Sequence, residues 1–471
     1  MNIEYNSFMN ENKKKTGIAI TGASGFIGKA LVKGLLENSD YHLNCLSRRD
    51  KSSFNNQRQT WMKCDLFSML DIENALEGCD VAIYLVHSML PGAHLTQGTF
   101  DNLDLILADN FIRACKKKNI KQIIYLSGII PESENLSDHL RSRLEVERTL
   151  GGSLIPLTTL RAGLILGPGG SSSTMVINLV KTLPAMILPQ WTDTLSNPIA
   201  LRDAVKIISS CVKNEAHYNR VYDLGGPEVL SYKNLIQRVA ELMGRKRLFF
   251  SFPFLSQKLS KNWVSLITGA PASLVTPLIY SLKHHMVVNP KNVFPFDREL
   301  TPINKELISC LKHHTEYTPH AFAYTGEDET YKEVRSVQRL DTVMRSPAYK
   351  VANLYMEWIP ALLAPFIKVK KENDVFSFNL GIIGTPLLIL KFSRERSTPD
   401  RQLFYILGGL LAHGAGRGRL EFRDVLDSRY TLVGIHEFHP RLPWYIYKYT
   451  QALIHLWVMK RFNKKLLKEK Y

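Results

Sequence analysis

Three glycines at a fixed spacing have the clearest chemical use in this sequence. Gly22, Gly25 and Gly28 stand at i, i+3 and i+6, directly after a strand-like apolar run, Gly17 to Thr21. Such glycines permit a tight turn, close approach of the backbone to a ligand, and close packing of a helix against a strand. The N–H groups at the start of that helix suit an anion, so the turn predicts bound pyrophosphate and hence a dinucleotide. The residues of this predicted site are Gly22, Ser24, Gly25, Phe26, Ile27 and Gly28.

Two arginines follow the next apolar run, Tyr41 to Leu46. A protein that selects NAD usually has an acidic residue here, which binds the ribose 2′-hydroxyl. Arg48 and Arg49 instead suit a 2′-phosphate, because each guanidinium presents a fork of donors. We therefore expect NADP(H) to be preferred over NAD(H). The alternative is that both arginines are solvated charges at a strand end.

The first 165 residues alternate between strand-like and helix-like patterns. Val81 to Val86 is a nearly pure apolar run, as in a parallel strand covered on both faces. Helical periodicity covers Phe100 to Lys118 and Asp138 to Leu150. This βαβ order predicts a Rossmann-type α/β fold with a doubly wound parallel sheet. Residues near the strand ends are expected to line the dinucleotide, with Asp65 accepting from the adenine amino group: Asp65, Leu66, Leu85 and His87.

Composition and charge restrict the class of protein. At 471 residues the chain exceeds what one hydrophobic core usually serves, so two or three domains are expected, after a polar tail at residues 1–15. The net charge of +17 is spread along the chain with little aromatic interleaving, and we expect no nucleic-acid partner. Six scattered cysteines without a CxxC pair predict reduced thiols, a cytoplasmic location and no metal site. Neither a signal peptide nor a membrane span is predicted.

Four segments carry a resemblance to a known superfamily. They are TGASGFIG at 21–28, YLSG at 125–128, LRAGLILGPGG at 160–170 and YDLGGPEVLSYKNLI at 222–236. The sequence resembles the extended and atypical short-chain dehydrogenase/reductases, and within them the NmrA-like and nucleoside-diphosphate-sugar epimerase-like proteins. This resemblance implies an NAD(P)-binding domain over residues 16–325. Its substrate subdomain would be formed mainly by residues 170–200 and 230–325.

The helix at 138–150 departs from that superfamily. Active members carry a Tyr-x-x-x-Lys pair, whose Tyr moves the proton and whose Lys holds the nicotinamide ribose. Here the two positions are His139 and Arg143, which share one helix face. In one interpretation His139 is the general acid, Arg143 holds the ribose and Ser127 polarises the substrate. In the other, the domain binds its cofactor without turning it over.

The last third of the sequence changes in character. Strand-like runs lie between Tyr331 and Phe438, interrupted by a helical stretch at Pro347 to Leu363, and a long helix is predicted at Pro443 to Leu467. The aromatic terminal helix and RGRLEFRDV at 417–425 resemble a DUF2867-type domain of unknown function, which is similar to the START/Bet v 1 superfamily. The resemblance implies an α+β helix-grip domain over residues 330–471 with a cavity for a hydrophobic small molecule. Alternatively, the aromatic side chains fill the core.

Basic residues cluster at the end of the chain, either as a solvated helix end or as a weak peripheral contact with anionic lipid headgroups. They are Lys460, Arg461, Lys464, Lys465, Lys468 and Lys470. Two functions follow from the sequence. The first is an NADP(H)-dependent oxidoreductase or epimerase-like enzyme acting on a hydrophobic or carbonyl small molecule. The second is a non-catalytic NAD(P)(H)-binding redox sensor or regulatory protein, and substrate and oligomeric state stay open.

Overall fold

The computed structural model describes residues 15–87, 95–252, 280–314, 334–342, 346–381, 384–413 and 416–468. Most of the predicted tail at 1–15 and part of the predicted substrate subdomain lie outside these ranges. Strands and helices alternate in the first part of the chain, as its periodicity predicts. The strands there are β1 (Thr16–Thr21), β2 (Tyr41–Ser47), β3 (Gln59–Lys63), β4 (Val81–Tyr84), β5 (Leu95–Gln97), β6 (Gln122–Gly128) and β7 (Leu157–Ala162). The helices are α1 (Phe26–Leu35), α2 (Met69–Ala75), α3 (Phe100–Lys117) and α4 (Asp138–Gly151).

Shorter strands and further helices follow in the region predicted to hold the substrate subdomain. The strands are β8 (Ile165–Leu166), β9 (Ala185–Pro189), β10 (Leu195–Ser196), β11 (Ile199–Ala200), β12 (Arg220–Leu224), β13 (Leu230–Ser231) and β14 (Leu248–Phe252). The helices are α5 (Ser171–Thr182), α6 (Leu201–Ser210), α7 (Tyr232–Leu242) and α8 (Ile303–Lys312). Strand β12 returns to the large sheet beside β7, while α5, α7 and α8 pack on one another through a separate apolar cluster.

The larger N-terminal sheet has seven parallel strands in the order β12-β7-β6-β4-β1-β2-β3. Its central strands are buried on both faces, with Ile18, Ile20 and Ile83 fully inaccessible, which explains their almost purely apolar sequences. The strand order reverses between β1 and β4, and the ends of these strands form the crevice in which such folds bind ligands. The predicted Rossmann-type sheet is confirmed.

The described C-terminal residues form seven strands, of which the last six lie in the sheet in chain order and pair antiparallel. These are β15 (Val334–Asp341), β16 (Ile367–Glu372), β17 (Val375–Leu380), β18 (Pro386–Phe392), β19 (Arg401–Gly408), β20 (Arg419–Val425) and β21 (Tyr430–Phe438). Helix α9 (Ala348–Leu363) follows the first strand, and α10 (Trp444–Tyr449) and α11 (Gln451–Leu466) follow the last. The predicted single terminal helix is thus two helices, because the backbone at Thr450 turns to φ −126°, ψ −86°.

One strand of the N-terminal part belongs to the C-terminal sheet. The eight-stranded order is β16-β17-β18-β19-β20-β21-β15-β5, and β5 pairs in parallel with β15, placing Thr96 beside Arg335. The rest of this sheet is antiparallel. Strand β5 directly precedes α3, so the two parts of the chain are joined through main-chain hydrogen bonds as well as through side chains.

The two faces of the C-terminal sheet differ in character. One face packs against α9 and α11 through aromatic side chains, with the Phe462 ring 5.0 Å from Tyr355 and 5.2 Å from Trp358. The other face lies against α3 and α4 and carries arginines from β15 and β20. Among the described residues, no helix is both long and apolar enough to span a membrane.

Ion pairs join the arginine face to the Rossmann-type part. Arg423, 1% exposed, donates to Asp109 at 2.8 Å and to Asn110 at 2.6 Å, both on α3. Arg339 forms a bidentate pair with Glu145 on α4, with distances of 2.9 and 2.7 Å. Buried ions of this kind are costly to leave unpaired. The two parts are therefore held at a fixed position relative to each other.

Replacing Arg423 with Met should destabilise the protein, because Asp109 and Glu421 each lose a buried cationic partner. We expect the free energy of unfolding to fall by about 3 to 5 kcal/mol, as measured by urea denaturation. Arg394→Met is the matched control: it removes the exposed pair with Asp374 and should change stability little. Equal effects of the two variants would contradict this account of the interface.

Candidate functional site

The glycine turn has the geometry of an anion cradle. Gly22 adopts φ +71°, which favours glycine, and a Cβ on Gly28 would lie 2.2 Å from the Gly22 carbonyl oxygen. Gly25 donates its N–H to the Gly22 carbonyl at 2.9 Å and is the N-cap of α1. No side chain caps that helix, so the N–H groups of its first turn are open to a ligand. These residues fit a pyrophosphate as the sequence predicts.

A cleft of about 500 Å³ runs from this turn along the ends of β2 and β3. Arg48 lines its exposed rim, whereas Arg49 is exposed outside the lining. Ser47 at the end of β2 donates to the Ser24 hydroxyl at 3.3 Å, which ties the strand to the turn. Besides Arg48, eight of the predicted dinucleotide residues line this cleft: Gly22, Ser24, Gly25, Phe26, Asp65, Leu66, Leu85 and His87.

A second cavity, of about 450 Å³, adjoins the cleft. It is enclosed mainly by apolar side chains of the parallel sheet and of α5 and α7, and it includes the predicted residues Ile27, Ser127, His139 and Arg143. Four residues line both spaces, so the two adjoin at Phe26, Leu85, His87 and Ser171. Trp191, from a short turn of helix at residues 190–193, and Tyr232, the first residue of α7, also line the cavity; sequence reasoning missed both.

His139 and Arg143 do lie on the cavity wall, but each is held by the fold. His139 Nδ1 is 2.9 Å from the Ser281 hydroxyl, and burial, followed by the nearby His87 and Arg143, lowers the pKa of His139 to about 3. Its imidazole is therefore uncharged at neutral pH. Arg143 donates to the main-chain carbonyls of Leu126 at 2.6 Å and of Val86 at 3.4 Å, which fixes its guanidinium against the strand ends.

His87 and Asp104 of α3 form a polar pair where the cleft and the cavity adjoin. The distance from His87 Nδ1 to Asp104 Oδ2 is 2.5 Å, and Asp104 is only 1% exposed. Ser142 donates to the same carboxylate oxygen at 3.2 Å. His87 Nε2 is buried at the junction of the two spaces and makes no hydrogen bond within the described residues. A carboxylate behind an imidazole orients the ring through Nδ1 and directs Nε2 into the open space, which is the arrangement of an acid–base residue.

Sequence reasoning identified His87 as a cleft residue but missed its partner Asp104. The available signal was a set of polar side chains on the buried stretch of α3, which are Asn102, Asp104, Asp109 and Asn110. Ser127 lies nearby, 5% exposed, and its hydroxyl makes no hydrogen bond within the described part of the chain. It remains available to a polar atom of a bound molecule.

Metal binding has no support in the described residues. They contain no cluster of three or more His, Cys, Asp and Glu side chains that would hold an ion. The six cysteines are all buried, and burial raises the pKa of the Cys45 thiol to about 12, so this residue behaves as an inert core side chain.

A family model described as NAD(P)H-binding matches residues 22–165, which span the glycine turn, the cleft and strands β2 to β7. This part of the chain is therefore similar to NAD(P)H-binding domains. The crystal structure of the Citrobacter sp. triphenylmethane reductase complexed with NADP(H) superposes on the chain with a TM-score of 0.51 at 18% identity. The superposition covers 63% of this chain and 99% of that one, and it shows a shared fold.

Two curated proteins are similar in sequence to this chain. Auxiliary protein GraX of Staphylococcus aureus is 31% identical over 123 residues, which cover 26% of this chain and 39% of GraX. The chloroplastic divinyl chlorophyllide a 8-vinyl-reductase of Cucumis sativus is 26% identical over 267 residues, which cover 52% of this chain and 62% of the reductase. The aligned segments therefore span less than two thirds of either relative.

Proposed function

We propose that the chain is an NADP(H)-dependent oxidoreductase of the atypical short-chain type, acting on a hydrophobic small molecule that carries a carbonyl or a polarised double bond. The observation that carries this proposal is that the predicted dinucleotide cleft adjoins an apolar cavity at His87. A bound nicotinamide cofactor supplies a hydride. The chain must then supply a dry space for the acceptor and a proton, and the cavity and the His87 imidazole have the location and chemistry to do so.

In this mechanism each polar residue has a separate role. His87 would give a proton from Nε2 to the substrate atom that becomes negative as hydride arrives, while Asp104 fixes the ring through Nδ1. Uncharged His139 and the Ser127 hydroxyl hydrogen-bond the same substrate oxygen. Arg143 supplies positive charge near the ribose end of the nicotinamide half. Solvent then reprotonates His87, so the proton balance of each turnover closes.

We assign the proton transfer to His87 rather than to His139 because of the lowered pKa of His139. A group with a pKa of about 3 carries almost no proton to donate near neutrality. In this proposal a residue that follows β4 takes over the proton transfer expected of the pair at positions 139 and 143 of α4. Substrate preference follows from the cavity, whose wall of aliphatic and aromatic side chains disfavours a sugar nucleotide and favours an apolar carbonyl.

His87→Gln should lower the rate of NADPH oxidation by about 100-fold or more, because the proton donor is lost. Turnover would be measured against a panel of aromatic ketones, long-chain aldehydes and a triphenylmethane dye, with NADPH affinity recorded separately by fluorescence. Asp104→Asn should give a smaller loss of the same kind. His42→Gln is the matched control, since His42 contacts Thr60 away from the cleft. Full activity of His87→Gln would contradict the assignment.

A non-catalytic sensor is the second candidate. It is favoured by the absence of the Tyr-x-x-x-Lys pair and by the engagement of Arg143 with two main-chain carbonyls. In that case the wild-type chain would bind NADPH without oxidising it on any member of the panel. The unassigned hydrogen-bonding capacity of His87 and the volume of the apolar cavity favour the enzyme.

We also propose that NADP(H) is preferred over NAD(H), with Arg48 as the residue that meets the 2′-phosphate at the rim of the cleft. Arg48→Asp should weaken NADPH binding about 10- to 100-fold and leave NADH binding nearly unchanged, because one charge-assisted contact is lost. Arg49→Asp is the matched control, as Arg49 lies outside the cleft lining. Calorimetric titration with both cofactors checks this, and equal affinities of the wild-type chain for both would refute the preference.

For the C-terminal domain we propose the helix-grip fold. Its support is topological: the first strand, β15, lies beside the last, β21, with helices after each of them. The tight contacts among Tyr355, Trp358, Phe422 and Phe462 favour a filled core. The hydrophobic ligand is therefore assigned to the cavity beside the dinucleotide cleft.

The terminal helices support a weak peripheral contact with an anionic membrane. Leu453 and Trp457 are 53% and 46% exposed and lie one turn apart on α11, and Tyr449 at the end of α10 is 68% exposed. The described basic residues of the cluster come directly after them, which complements an anionic bilayer; they are Lys460, Arg461, Lys464, Lys465 and Lys468.

Binding to phosphatidylserine-rich vesicles should weaken about tenfold in the double variant Leu453→Ser, Trp457→Ser, because two buried apolar groups are lost from the lipid. Cosedimentation measures the effect. Leu154→Ser, which removes an exposed leucine elsewhere, should bind as the wild type does. Equal binding of the wild type to neutral and anionic vesicles, or none to either, would refute the contact.

A further inference from the structure

The C-terminal sheet reaches the dinucleotide cleft. Arg335 of β15 is 4% exposed and forms part of the cleft wall, together with Thr96, its register partner on β5. Strand β15 stands well beyond the matched residues 22–165, so a second domain contributes to this cleft.

Arg335 acts on the cleft through Asp65. Its guanidinium forms an ion pair with Asp65 Oδ2, and it lies 4.3 Å from the centre of the Phe67 ring. The other carboxylate oxygen, Oδ1, accepts from the Phe67 main-chain N–H at 3.1 Å. Asp65 is thus fixed at both oxygens, and one of the two restraints comes from a residue 270 positions away in the sequence.

The location of Asp65 and Arg335 indicates which part of a bound dinucleotide they would contact. Gly22 and Gly25 of the pyrophosphate cradle line the same cleft as Asp65 and Arg335, and Asp65 follows the end of β3. In a sheet of this order the adenosine half of a dinucleotide extends over the ends of β2 and β3. A planar guanidinium beside a fixed carboxylate suits a purine, since the carboxylate accepts from an exocyclic amine and the guanidinium stacks on the ring.

We infer that Arg335 is a positioning residue of the adenine end of the dinucleotide site, which makes the C-terminal domain an integral part of cofactor binding. This inference rests on the proposed dinucleotide function of the cleft and assigns it a residue from outside the NAD(P)H-binding domain. The physical basis is that Arg335 holds the Asp65 carboxylate in one orientation and closes the cleft wall beside it. Asp65 is thereby already ordered when the protein folds, so that ligand binding does not have to supply the free energy that orders its side chain.

Arg335→Met should weaken NADPH binding by the full-length protein about tenfold or more, measured by fluorescence titration. Affinity for reduced nicotinamide mononucleotide, which lacks the adenine, should stay unchanged. Arg335→Lys, which keeps the charge without the planar fork, should recover part of the loss. Arg339→Met is the matched control: it lies on the same face of β15 and breaks the ion pair with Glu145, but it does not line the cleft.

A double-mutant cycle tests whether Arg335 works through Asp65. The losses in NADPH affinity of Asp65→Asn and Arg335→Met should be strongly non-additive, since either change releases the same carboxylate geometry. Additive losses, or an equal loss in Arg339→Met, would overturn the role of Arg335. Unchanged NADPH affinity in Arg335→Met would do so as well, with the proposed function intact. If the wild-type protein bound no NADPH, the proposed function itself would fail.

Discussion

Buried charge between the two sheets is the constraint on which the rest of the structure depends. Arginines of β15 and β20 meet carboxylates and amides of α3, α4 and the end of β3, and most of these groups are almost inaccessible to water. A buried charge without its partner costs several kcal/mol, so neither sheet can shift without breaking the set. The added parallel pairing of β5 with β15 makes the junction continuous through the main chain.

Helix α3 carries this constraint into the candidate site. Asp109 on one turn binds Arg423 of the C-terminal sheet, and Asp104, about one turn earlier, holds His87 at the junction of cleft and cavity. The position of the imidazole therefore depends on the same helix that anchors the domain interface. Arg335 extends the dependence to the other end of the cleft. In the proposed site, a dinucleotide would thus meet groups whose positions depend on both domains.

The parts of this arrangement that the sequence predicts are the local ones. The glycine turn, the parallel sheet and most strands of the C-terminal sheet follow from spacing and periodicity over a few residues. Strand β5 is too short to show a pattern. The roles of Asp104 and Arg335 depend on their partners, which only folding brings close to them. His139 shows the same limit: its spacing from Arg143 is visible in the sequence, but the burial that leaves it uncharged is not.

A crystal structure of the full-length chain with NADPH tests the central claim most directly, which is that one dinucleotide site is built by two domains and opens into an apolar reaction space. The account predicts pyrophosphate at the Gly22 turn, adenine against Asp65 and Arg335, and the nicotinamide ring beside His87 at the mouth of the cavity. An adenine ring turned away from the C-terminal sheet, or a nicotinamide outside reach of His87, would contradict it.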